Sequence, residues 1–402
     1  MGKRTTLYNN YLHKAKIVDF HGWDLPIQFS GIINEVNSVR SNVGIFDVSH
    51  MGRMNCKGES VKEFLNYVLT GDLLNLEINQ ASYMFLSNEH CGIIDDLVAY
   101  KIDENEIMIV CNASNKEEVI AVLETHRNST PVFENIIIDD LVAYKTDENE
   151  IMIVCNASNK EQVLAVLKSY RNLNSNFENI IIDDFTDASG MIAVQGPMSQ
   201  EIMCKLFNID ELNIRRFRFT QIPCEGEDVL ISRTGYTGEN GFEIIASTKL
   251  SSKFWDKLIY LGAIPCGLGS RDVLRIEAGL SLHGNDISSE INPKEAQLER
   301  FVTNSEETLY KQAWDNIQNT PTKKMLIGFI IKGRGIPRIN NSIFLNGESI
   351  GYVTSGTFSP TLNLSIGLGY VTKKLDPDSN IEVEIREKKF DATVTKLPFL
   401  RR

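Results

Sequence analysis

The sequence has no pair of cysteines at the C-x-x-C spacing that metal sites and redox motifs use. Its seven cysteines are dispersed along 402 residues. An odd, dispersed set predicts free thiols in a reducing compartment rather than a disulfide framework. The six histidines form no metal-ligand spacing with these cysteines, so we expect no metal site.

The chain also lacks long apolar runs and an excess of positive charge. A membrane-spanning helix needs about 20 predominantly apolar residues in a row, and no stretch approaches that length. The net charge is −12, whereas general binding to nucleic acid requires a basic face. We therefore expect neither a membrane nor a nucleic acid as a partner.

Two signatures of catalysis are missing as well. There is no G-x-S-x-G turn, and Ser49 and His50 are neighbours in the chain, so a hydrolase triad has little support. The glycine-rich stretch 231–243 lacks the lysine and the spacing of a phosphate-binding loop. Its three glycines instead allow a positive φ and close approach of the backbone to a ligand.

The most informative stretch that is present is Gly92–Tyr100, a mostly apolar segment that predicts a buried strand after a glycine turn. Asp95 and Asp96 interrupt it. Neighbouring strand residues point to opposite faces, so one carboxylate can face inward, where it needs hydrogen bonds or a charged partner. Taken alone, the stretch is explained more simply as a strand edge with two solvated acids.

Two further segments carry polar residues in apolar surroundings. Asp47 and His50 interrupt apolar positions three residues apart, which is typical of a structural hydrogen bond. Arg271 stands at the start of a predicted helix over 273–279, where a cation opposes the helix dipole. An arginine in that place is expected to bind a ligand or a carboxylate.

The chain repeats itself: residues 93–136 and 137–180 align without a gap and match at 34 of 44 positions. Each copy predicts two strands around a turn, followed by a helix. A third fragment, Ile181–Phe185, matches the start of the unit and then diverges. The pattern indicates that slippage between two Ile-Ile-Asp-Asp segments inserted one unit in frame. Two copies are too few for a solenoid.

From residue 324 onward, short strand patterns separated by turn residues predict a small antiparallel barrel or sandwich as a separate C-terminal domain. The predicted strands are Leu326–Ile331, Ser342–Leu345, Ser349–Thr354, Ile366–Val371, Ile381–Glu384 and Lys389–Val394. The segment Ser355–Leu362 predicts a long turn that reaches another domain.

Taken together, the motifs resemble one family, the aminomethyltransferases (T-proteins) of the glycine cleavage system. The resemblance covers nearly the whole chain outside the duplicated unit. It rests on DFHGW (Asp19–Trp23), FDVSHMG (Phe46–Gly52), GIIDDLVAY (Gly92–Tyr100), VQGP (Val194–Pro197), SRTGYTGENGFE (Ser232–Glu243), GLGSRD (Gly267–Asp272), SGTFSPTL (Ser355–Leu362) and KLPFLR (Lys396–Arg401).

The resemblance implies an α+β, folate-binding, multidomain aminomethyltransferase-like fold with a C-terminal antiparallel β-barrel. Residues 1–320 would form two intertwined α+β subdomains that carry the duplicated unit 93–136/137–180. Residues 321–402 would form the barrel.

The resemblance also implies an enzyme that takes an aminomethyl group from the lipoyl arm of the H-protein. The one-carbon unit passes to tetrahydrofolate, a co-substrate, which becomes 5,10-methylenetetrahydrofolate, and ammonia is released. The implied partners are the lipoylated H-protein and folate, with no metal or redox cofactor. The implied location is the mitochondrial matrix for a eukaryotic source and the cytoplasm otherwise.

Matched residue by residue, the resemblance assigns the key carboxylate to Asp96, beside the folate nitrogens. A carboxylate there can orient an amine nucleophile and stabilise the iminium-like cation that develops during transfer. Aromatic, glutamate and arginine side chains suit the flat face and the amide-like edge of a pterin. The implied folate contacts are Tyr83, Tyr100, Tyr236, Glu243 and Arg271, with Arg401 near the entrance and Asn112 as a weaker candidate.

The duplication offers Asp140 and Asp184 as alternative acids. Asp96 is favoured because Tyr83 and Gly92 precede it at the spacing of the family. Residues 137–180 are then expected to form an added strand–strand–helix layer on the surface or a poorly ordered insertion.

The sequence departs from the family pattern at two positions. Arg300 stands where the family usually has Trp, and Tyr310 stands where it usually has Gly. We expect these changes to bear on carrier docking or on packing.

Two other functions stay open on the same fold: a folate-binding protein without transfer activity, and a tetrahydrofolate-dependent demethylase. Iron–sulfur assembly factors of this fold carry a K-G-C-Y-x-G-Q signature, which the sequence lacks. Dependence of activity on a lipoylated carrier discriminates between these alternatives.

Overall fold

A computed structural model describes most of the chain outside the duplicated unit, and the backbone of four strands within it. The described residues are 2–57, 61–87, 91, 93–103, 106–111, 141–147, 150–155, 164–165, 168, 181–303, 308 and 310–401. Within these ranges, no helix is long and apolar enough to cross a membrane.

Within the described ranges the α-helices are numbered α1 to α7 in chain order, and short 3-10 helices lie at Thr186–Ala188 and Glu299–Phe301. The α-helices are α1 (Tyr8–Tyr11), α2 (Ile32–Ser41), α3 (Val61–Val68), α4 (Ser199–Phe207), α5 (Thr248–Tyr260), α6 (Leu268–Glu277) and α7 (Lys311–Asn319).

The strands are numbered in chain order in the same way. They are β1 (Lys16–Phe20), β2 (Trp23–Gln28), β3 (Gly44–Asp47), β4 (Gly52–Lys57), β5 (Gln80–Ser87), β6 (Ile93–Asp103), β7 (Glu106–Cys111), β8 (Leu141–Asp147), β9 (Glu150–Cys155), β10 (Ile181–Asp184), β11 (Ser189–Gln195), β12 (Phe219–Cys224), β13 (Glu227–Ser232), β14 (Gly241–Ser247), β15 (Ile264–Pro265), β16 (Met325–Ile331), β17 (Ser342–Leu345), β18 (Glu348–Ser359), β19 (Leu364–Val371), β20 (Asn380–Ile385) and β21 (Lys388–Thr395).

A six-stranded sheet with the order β12-β13-β14-β11-β3-β15 builds the first core. Strands β3 and β11 are buried along their whole length. Helix α5 packs on β11 and β14, and its Phe254 and Trp255 enter the same apolar cluster as Ile192 and Ile244. Ser247 begins this helix, because its hydroxyl accepts a hydrogen bond from the Leu250 N–H at 3.3 Å.

One buried carboxylate fastens the starts of α2 and α6 together. Glu35 Oε1 accepts hydrogen bonds from the backbone N–H groups of residues 29–31 at 2.6 to 3.2 Å. Its Oε2 accepts from the Gly267 N–H and the Ser270 hydroxyl, both at 2.9 Å. Helix α6 therefore begins at Leu268, five residues earlier than predicted, and Arg271 lies in its first turn.

The duplicated unit contributes to a seven-stranded sheet with the order β10-β4-β7-β6-β8-β9, in which β5 also pairs with β6. Strand β8 runs parallel to β6, with Ala99 opposite Ala143 and Tyr100 opposite Tyr144, so equivalent residues of the two copies face each other. The expected added surface layer is therefore wrong for the strands of the second copy. They join the sheet, where unpaired backbone groups of neighbouring strands find partners.

The third Ile-Ile-Asp-Asp fragment is β10, which pairs antiparallel with β4 and places Asp184 opposite Met54. The Asp184 carboxylate Oδ1 accepts hydrogen bonds from the Thr186 N–H at 3.0 Å and the Thr186 hydroxyl at 2.6 Å. These bonds satisfy the start of the 3-10 helix that follows. Asp184 is thus a turn-forming residue, and this use of its carboxylate counts against the alternative that it is the site acid.

The C-terminal strands close into a barrel with the order β16-β19-β18-β17-β20-β21, which confirms the predicted antiparallel barrel. Alternation decides which residues face its core: along β20, Ile381, Val383 and Ile385 are buried while the residues between them are not. The domain boundary at residues 320/321 stays a prediction.

The long turn predicted at Ser355–Leu362 is wrong. Strand β18 continues to Ser359, with an irregularity between Val353 and Ser355, and pairs with β19 up to Leu364. A bulge bends a strand and strengthens its twist without ending it, so the glycine and proline in this segment mark a bend and a short connection. The segment does contact the larger region of the chain, as predicted.

A buried ion pair joins the barrel to α6. Arg275 Nη1 donates to Asp286 Oδ2 at 2.5 Å, and its Nη2 donates to the Ser355 hydroxyl at 2.7 Å. Thr354 and Ser355 of β18 both donate to the Asp286 carboxylate, at 2.5 and 2.9 Å. Arg275 and Asp286 have almost no exposed surface, so this network is a buried contact between the two parts of the chain.

A second buried carboxylate, at the end of α6, extends that contact. Glu277 Oε2 accepts from Arg40 Nε and Nη2 at 2.9 and 2.7 Å. Its two oxygens also accept hydroxyl hydrogen bonds, from Ser359 at 2.5 Å and from Thr361 at 3.0 Å. Helix α6 is therefore held at both ends, by α2 and by the barrel.

Candidate functional site

The glycine-rich turn between β13 and β14 is held in shape by Gln195 of β11. Gln195 Nε2 donates to the carbonyl oxygens of Thr234 and Phe242, at 3.1 and 3.4 Å. Its Oε1 accepts from the Thr237 hydroxyl at 2.8 Å. Because Gln195 has no exposed surface, one buried amide satisfies three polar groups of the turn.

Two glycines of this turn leave room for the Gln195 side chain. A Cβ on Gly235 or Gly241 would lie 2.0 or 2.3 Å from the Gln195 side chain. Gly238 has a φ of 76°, which confirms the expected left-handed backbone at that position. Gly235 and Gly241 are therefore required for the packing of Gln195, and the expected close approach of the backbone to a ligand stays a prediction.

The structure brings Tyr236, Glu243 and Arg271 together from two separate motifs. The Arg271 guanidinium carbon lies 5.1 Å from the centroid of the Tyr236 ring and 6.0 Å from that of Phe46. Glu243 is 8% exposed, and its Oε2 accepts from the Thr234 hydroxyl at 2.5 Å. Two aromatic faces and a carboxylate therefore surround one guanidinium.

Arg271 has donor capacity that the fold does not use. Its Nη1 atom is buried and has no hydrogen-bond partner among the described residues. Burial lowers the pKa of Arg271, an effect that Glu243 and Tyr236 oppose. Burial raises the pKa of Glu243, opposed by the Thr234 hydrogen bond and by Arg271. A buried charged donor without an acceptor is costly, so an acceptor on a ligand is the expected partner.

His50 belongs beside this group and was missed as a site residue from the sequence. It is 5% exposed, and its Nδ1 has no hydrogen-bond partner in the described part of the chain. Burial, followed by the nearby charges of Arg271 and Arg53 and by His21, lowers the pKa of His50 to about 3. The imidazole is therefore neutral near pH 7. The sequence did contain a signal for this residue, because His50 is a titratable side chain within the mostly apolar segment Phe46–Gly52.

Asp47 is structural, as predicted, but its partner is not His50. Its Oδ2 accepts from the Thr5 hydroxyl at 2.6 Å and from the Tyr11 hydroxyl at 2.9 Å. Its Oδ1 accepts from the Ser49 N–H at 2.9 Å. The predicted Asp47–His50 hydrogen bond is thus wrong, because Thr5 and Tyr11 of the N-terminal segment supply hydroxyl groups that satisfy the carboxylate.

Tyr83 lies on β5, next to the first copy of the repeat. Its ring meets those of Phe301 and Phe85 edge-on, with centroids 4.6 and 5.4 Å apart. The backbone register places Asp96 of β6 opposite Phe85, and Tyr100 opposite Ala81. Strand β5 therefore carries Tyr83 beside the strand that holds both predicted residues. Asn112 and Asp140 lie outside the described residues.

Arg401 is exposed near the end of the chain. The N–H of the preceding Leu400 donates to the Glu277 carbonyl oxygen at 3.0 Å. The C-terminal segment thus returns to the end of α6, the helix that carries Arg271. Glu277 is six positions after Arg271 on the helix, a rise of about 9 Å.

The two departures from the family pattern have different surroundings. Tyr310 has no exposed surface, packs with Cys91 and Trp314, and donates through its hydroxyl to the Leu69 carbonyl at 3.3 Å. It fills a core position. The Arg300 guanidinium lies 4.6 Å from the centroid of Phe301, the ring that contacts Tyr83.

No group of three or more His, Cys, Asp or Glu side chains that could hold a metal ion occurs within the described ranges. The cysteines whose side chains are described form no disulfide; they are Cys91, Cys204, Cys224 and Cys266.

Comparison with known families and proteins identifies the fold. The GCVT N-terminal domain matches residues 10–136 and 133–306, and the glycine cleavage T-protein C-terminal barrel domain matches residues 324–400. This chain belongs to the aminomethyltransferase family, the T-proteins of the glycine cleavage system. The two matches to the N-terminal domain overlap at 133–136, where the two copies of the repeat meet.

Full-length relatives of this aminomethyltransferase support the same assignment. An aminomethyltransferase of Thermosipho melanesiensis is 37% identical over 99% of this chain and 97% of its own length. One of Natranaerobius thermophilus is 35% identical over 100% of this chain and 99% of its own length. The crystal structure of glycine cleavage system aminomethyltransferase T from Bartonella henselae superposes with a TM-score of 0.81 at 28% identity, covering 100% of this chain and 98% of that one.

These matches confirm the family, the fold class and the enzyme class that the motifs implied: this is an aminomethyltransferase of the glycine cleavage system. The roles of Asp96, Tyr100 and Arg401, and those of the Arg271 group, stay predictions.

Proposed function

We propose that this aminomethyltransferase transfers the one-carbon unit of an S-aminomethyl group, carried on the dihydrolipoyl arm of the H-protein, to tetrahydrofolate. The products are 5,10-methylenetetrahydrofolate, ammonia and the reduced lipoyl carrier. The observation that carries the proposal is the buried Nη1 of Arg271, which lies between two aromatic rings and Glu243 and has no hydrogen-bond partner in the described part of the chain.

Each side chain of this group suits one part of a pterin. The amide-like edge offers a carbonyl that the free Arg271 donor can satisfy, and N–H groups that the Glu243 carboxylate can accept. Tyr236 presents an aromatic face, and its hydroxyl donates to the Ser281 carbonyl, which fixes the ring. Binding of this kind orients the co-substrate and requires no movement of the charged residues.

Asp96 is proposed as the carboxylate that acts on the reacting atoms. The first copy of the repeat carries it on β6, adjacent to the strand of Tyr83. A carboxylate beside the folate nitrogens orients the attacking amine and stabilises the positive charge that develops as ammonia leaves. The neutral His50 adds no competing positive charge near Arg271.

The proposed partners are the lipoylated H-protein and tetrahydrofolate as co-substrate, without a metal. The relatives reported above are bacterial proteins, which favours the cytoplasm over the mitochondrial matrix.

The test is tetrahydrofolate-dependent ammonia release from aminomethylated lipoyl H-protein. We expect Asp96→Asn to lower the rate by about 100-fold or more, the range for loss of a group that acts in the transition state, and Asp140→Asn to leave it near that of the parent chain. Collapse in Asp140→Asn alone would place the second copy in the site. An inactive parent chain that still binds tetrahydrofolate would make it a folate-binding protein and overturn the proposal.

Deletion of residues 137–180 provides the matched structural control, because it restores a single copy of the unit. We expect the shortened chain to fold and to retain ammonia release. A shortened chain that folds but is inactive would show that the second copy supplies part of the site.

A further inference from the structure

Residues 215–218 form a positively charged turn on an otherwise acidic protein. The turn precedes β12, the edge strand of the six-stranded sheet. Arg215 and Arg216 are exposed and Arg218 is half-buried, whereas the whole chain has a net charge of −12. Two apolar side chains are exposed beside these cations: Phe217 at 39% and Ile78 at 42%. We call Arg215, Arg216, Phe217, Arg218 and Ile78 the arginine–phenylalanine surface.

Phe217 is exposed, and its backbone adopts a conformation that is unfavourable for phenylalanine. Its φ is 55°, in the left-handed region, where a bulky residue is an outlier and glycine or asparagine is favoured. Its N–H donates to the Arg233 carbonyl at 3.1 Å, and its carbonyl accepts from the Ala81 N–H at 2.8 Å. These two hydrogen bonds hold the backbone in this conformation, and a large aromatic side chain stands on the surface as a result.

The cations of this surface differ in their use. Arg218 is paired with Glu77, and its Nη1 also donates to the Ile78 carbonyl at 3.2 Å. Arg215 and Arg216 form no salt bridge within the described part of the chain, and the Arg216 guanidinium lies 5.7 Å from the centroid of the Phe217 ring. Two exposed charges are therefore available to an external partner.

Both residues that hydrogen-bond to the backbone of Phe217, Ala81 and Arg233, lie close in sequence to residues of the candidate site. Ala81 lies two residues before Tyr83 on β5, a rise of about 7 Å along the strand. Arg233 immediately precedes Thr234, whose hydroxyl donates to Glu243. An occupant of this surface would thus lie close to the site without using the side chains that are proposed to bind folate.

We propose that the arginine–phenylalanine surface docks an acidic face of the protein that carries the aminomethyl group. The inference rests on the proposed function and names the surface on which its partner binds. Arginine and aromatic residues are enriched at protein interfaces, and charge complementarity steers encounter and sets orientation. The net charge of −12 disfavours a nucleic acid, and a small carboxylate ligand would leave Phe217 and Ile78 uncovered.

The test is a charge reversal, Arg215→Glu with Arg216→Glu, in the full chain. We expect KM for aminomethylated lipoyl H-protein to rise by about tenfold at low salt, because charged pairs at an interface govern encounter. The difference from the parent chain should shrink between about 0.05 and 0.5 M NaCl, since salt screens exposed charges. The kcat at saturating carrier and the KM for tetrahydrofolate should not change.

Two further variants make the test specific. Lys332→Glu with Arg334→Glu reverses two exposed charges on the barrel, and it should leave KM for the carrier unchanged. Phe217→Asn keeps a residue that tolerates the left-handed backbone and removes the ring. We expect it to raise KM for the carrier at low and high salt alike.

Calorimetric titration of the chain with lipoylated H-protein separates this proposal from the proposed function. A parent chain that binds the carrier but releases no ammonia refutes the function, and its comparison with the charge-reversed variant still decides the surface. Equal affinity of both chains for the carrier overturns the docking surface. A change confined to the KM for tetrahydrofolate would assign these arginines to the folate tail, and it would overturn the proposal as well.

Discussion

Arg271 and Arg275 lie one turn apart on α6, yet their guanidinium groups differ in how many of their hydrogen-bond donors have a partner. On the barrel side, every guanidinium nitrogen of Arg275 donates, to Asp272, Asp286, Ser355 or the Leu280 carbonyl. On the side of the glycine-rich turn, Arg271 faces aromatic rings and Glu243, and its buried Nη1 has no partner among the described residues.

The electrostatic balance differs accordingly. Burial would lower the pKa of Arg275, but Asp286, Tyr236 and Asp272 raise it above the ordinary value. Burial lowers the pKa of Arg271, and Glu243 does not restore it. A buried charge with all its partners holds a structure in one arrangement, whereas a buried charge that lacks one is prepared for a ligand. The difference in pairing therefore indicates that Arg275 joins the barrel to the rest of the chain, whereas Arg271 is expected to bind a ligand.

The largest expected effect is on stability, from Asp286→Asn on the barrel side. Removing the buried carboxylate leaves Arg275 with the half-exposed Asp272 as its remaining acidic partner among the described residues, which costs about 3–5 kcal/mol of unfolding free energy. Thermal unfolding should show a clear fall in Tm. Asp272→Asn is the matched control, because Asp272 pairs with the same arginine but its side chain is 49% exposed. It should change stability by about 1 kcal/mol or less. Equal losses in both variants would contradict the contrast.

The next effect concerns binding and should appear without a loss of stability. Arg271→Met replaces an incompletely paired buried cation with an apolar side chain, which is often neutral or stabilising. We expect the affinity for tetrahydrofolate to fall by about 10- to 100-fold, because a charged hydrogen bond contributes about 1.5–3 kcal/mol. Direct titration with tetrahydrofolate and thermal unfolding provide the two readouts. A fall in Tm as large as that of Asp286→Asn would make Arg271 structural.

The smallest expected effect is on the pH dependence of stability, and it comes from His50 near Arg271. An unfolded histidine titrates near 6.5, whereas the pKa of folded His50 is about 3. Between these values the unfolded chain binds a proton that the folded chain does not, so stability falls as pH falls. His50→Gln should remove that contribution, about one proton between pH 6.5 and pH 5.

Urea unfolding of the parent chain and His50→Gln at pH 7, 6 and 5 measures this term. The parent chain should lose roughly 1.4 kcal/mol per pH unit more than the variant below pH 6.5. His13→Gln, at an exposed position, should follow the parent chain. Parallel curves for the parent chain and His50→Gln would mean that His50 is charged in the folded protein.

Local patterns were sufficient for the barrel and for the family. Strands such as β20 alternate buried and exposed residues with a period of two, which depends only on backbone geometry and can be read along the chain. The bounds of β17, Ser342–Leu345, agree with the prediction at both ends. The motifs that resemble the family are likewise contiguous segments, and the repeat is visible as direct identity between 93–136 and 137–180.

What the sequence by itself determined was therefore the fold class, the barrel, the family and the set of residues from which the site is drawn. Tertiary structure alone decided which of two similar arginines is satisfied and that Gln195 occupies the space beside Gly235 and Gly241. It also decided that His50 lies near Arg271 with an Nδ1 that has no hydrogen-bond partner among the residues the structure describes. The pairing of β8 with β6, which puts the strands of the second copy into the sheet, was also visible only in the tertiary structure. The physical reason is distance along the chain: a hydrophobic period is local, whereas hydrogen-bond partners such as Arg275 and Ser355 are 80 residues apart and meet only in the folded protein.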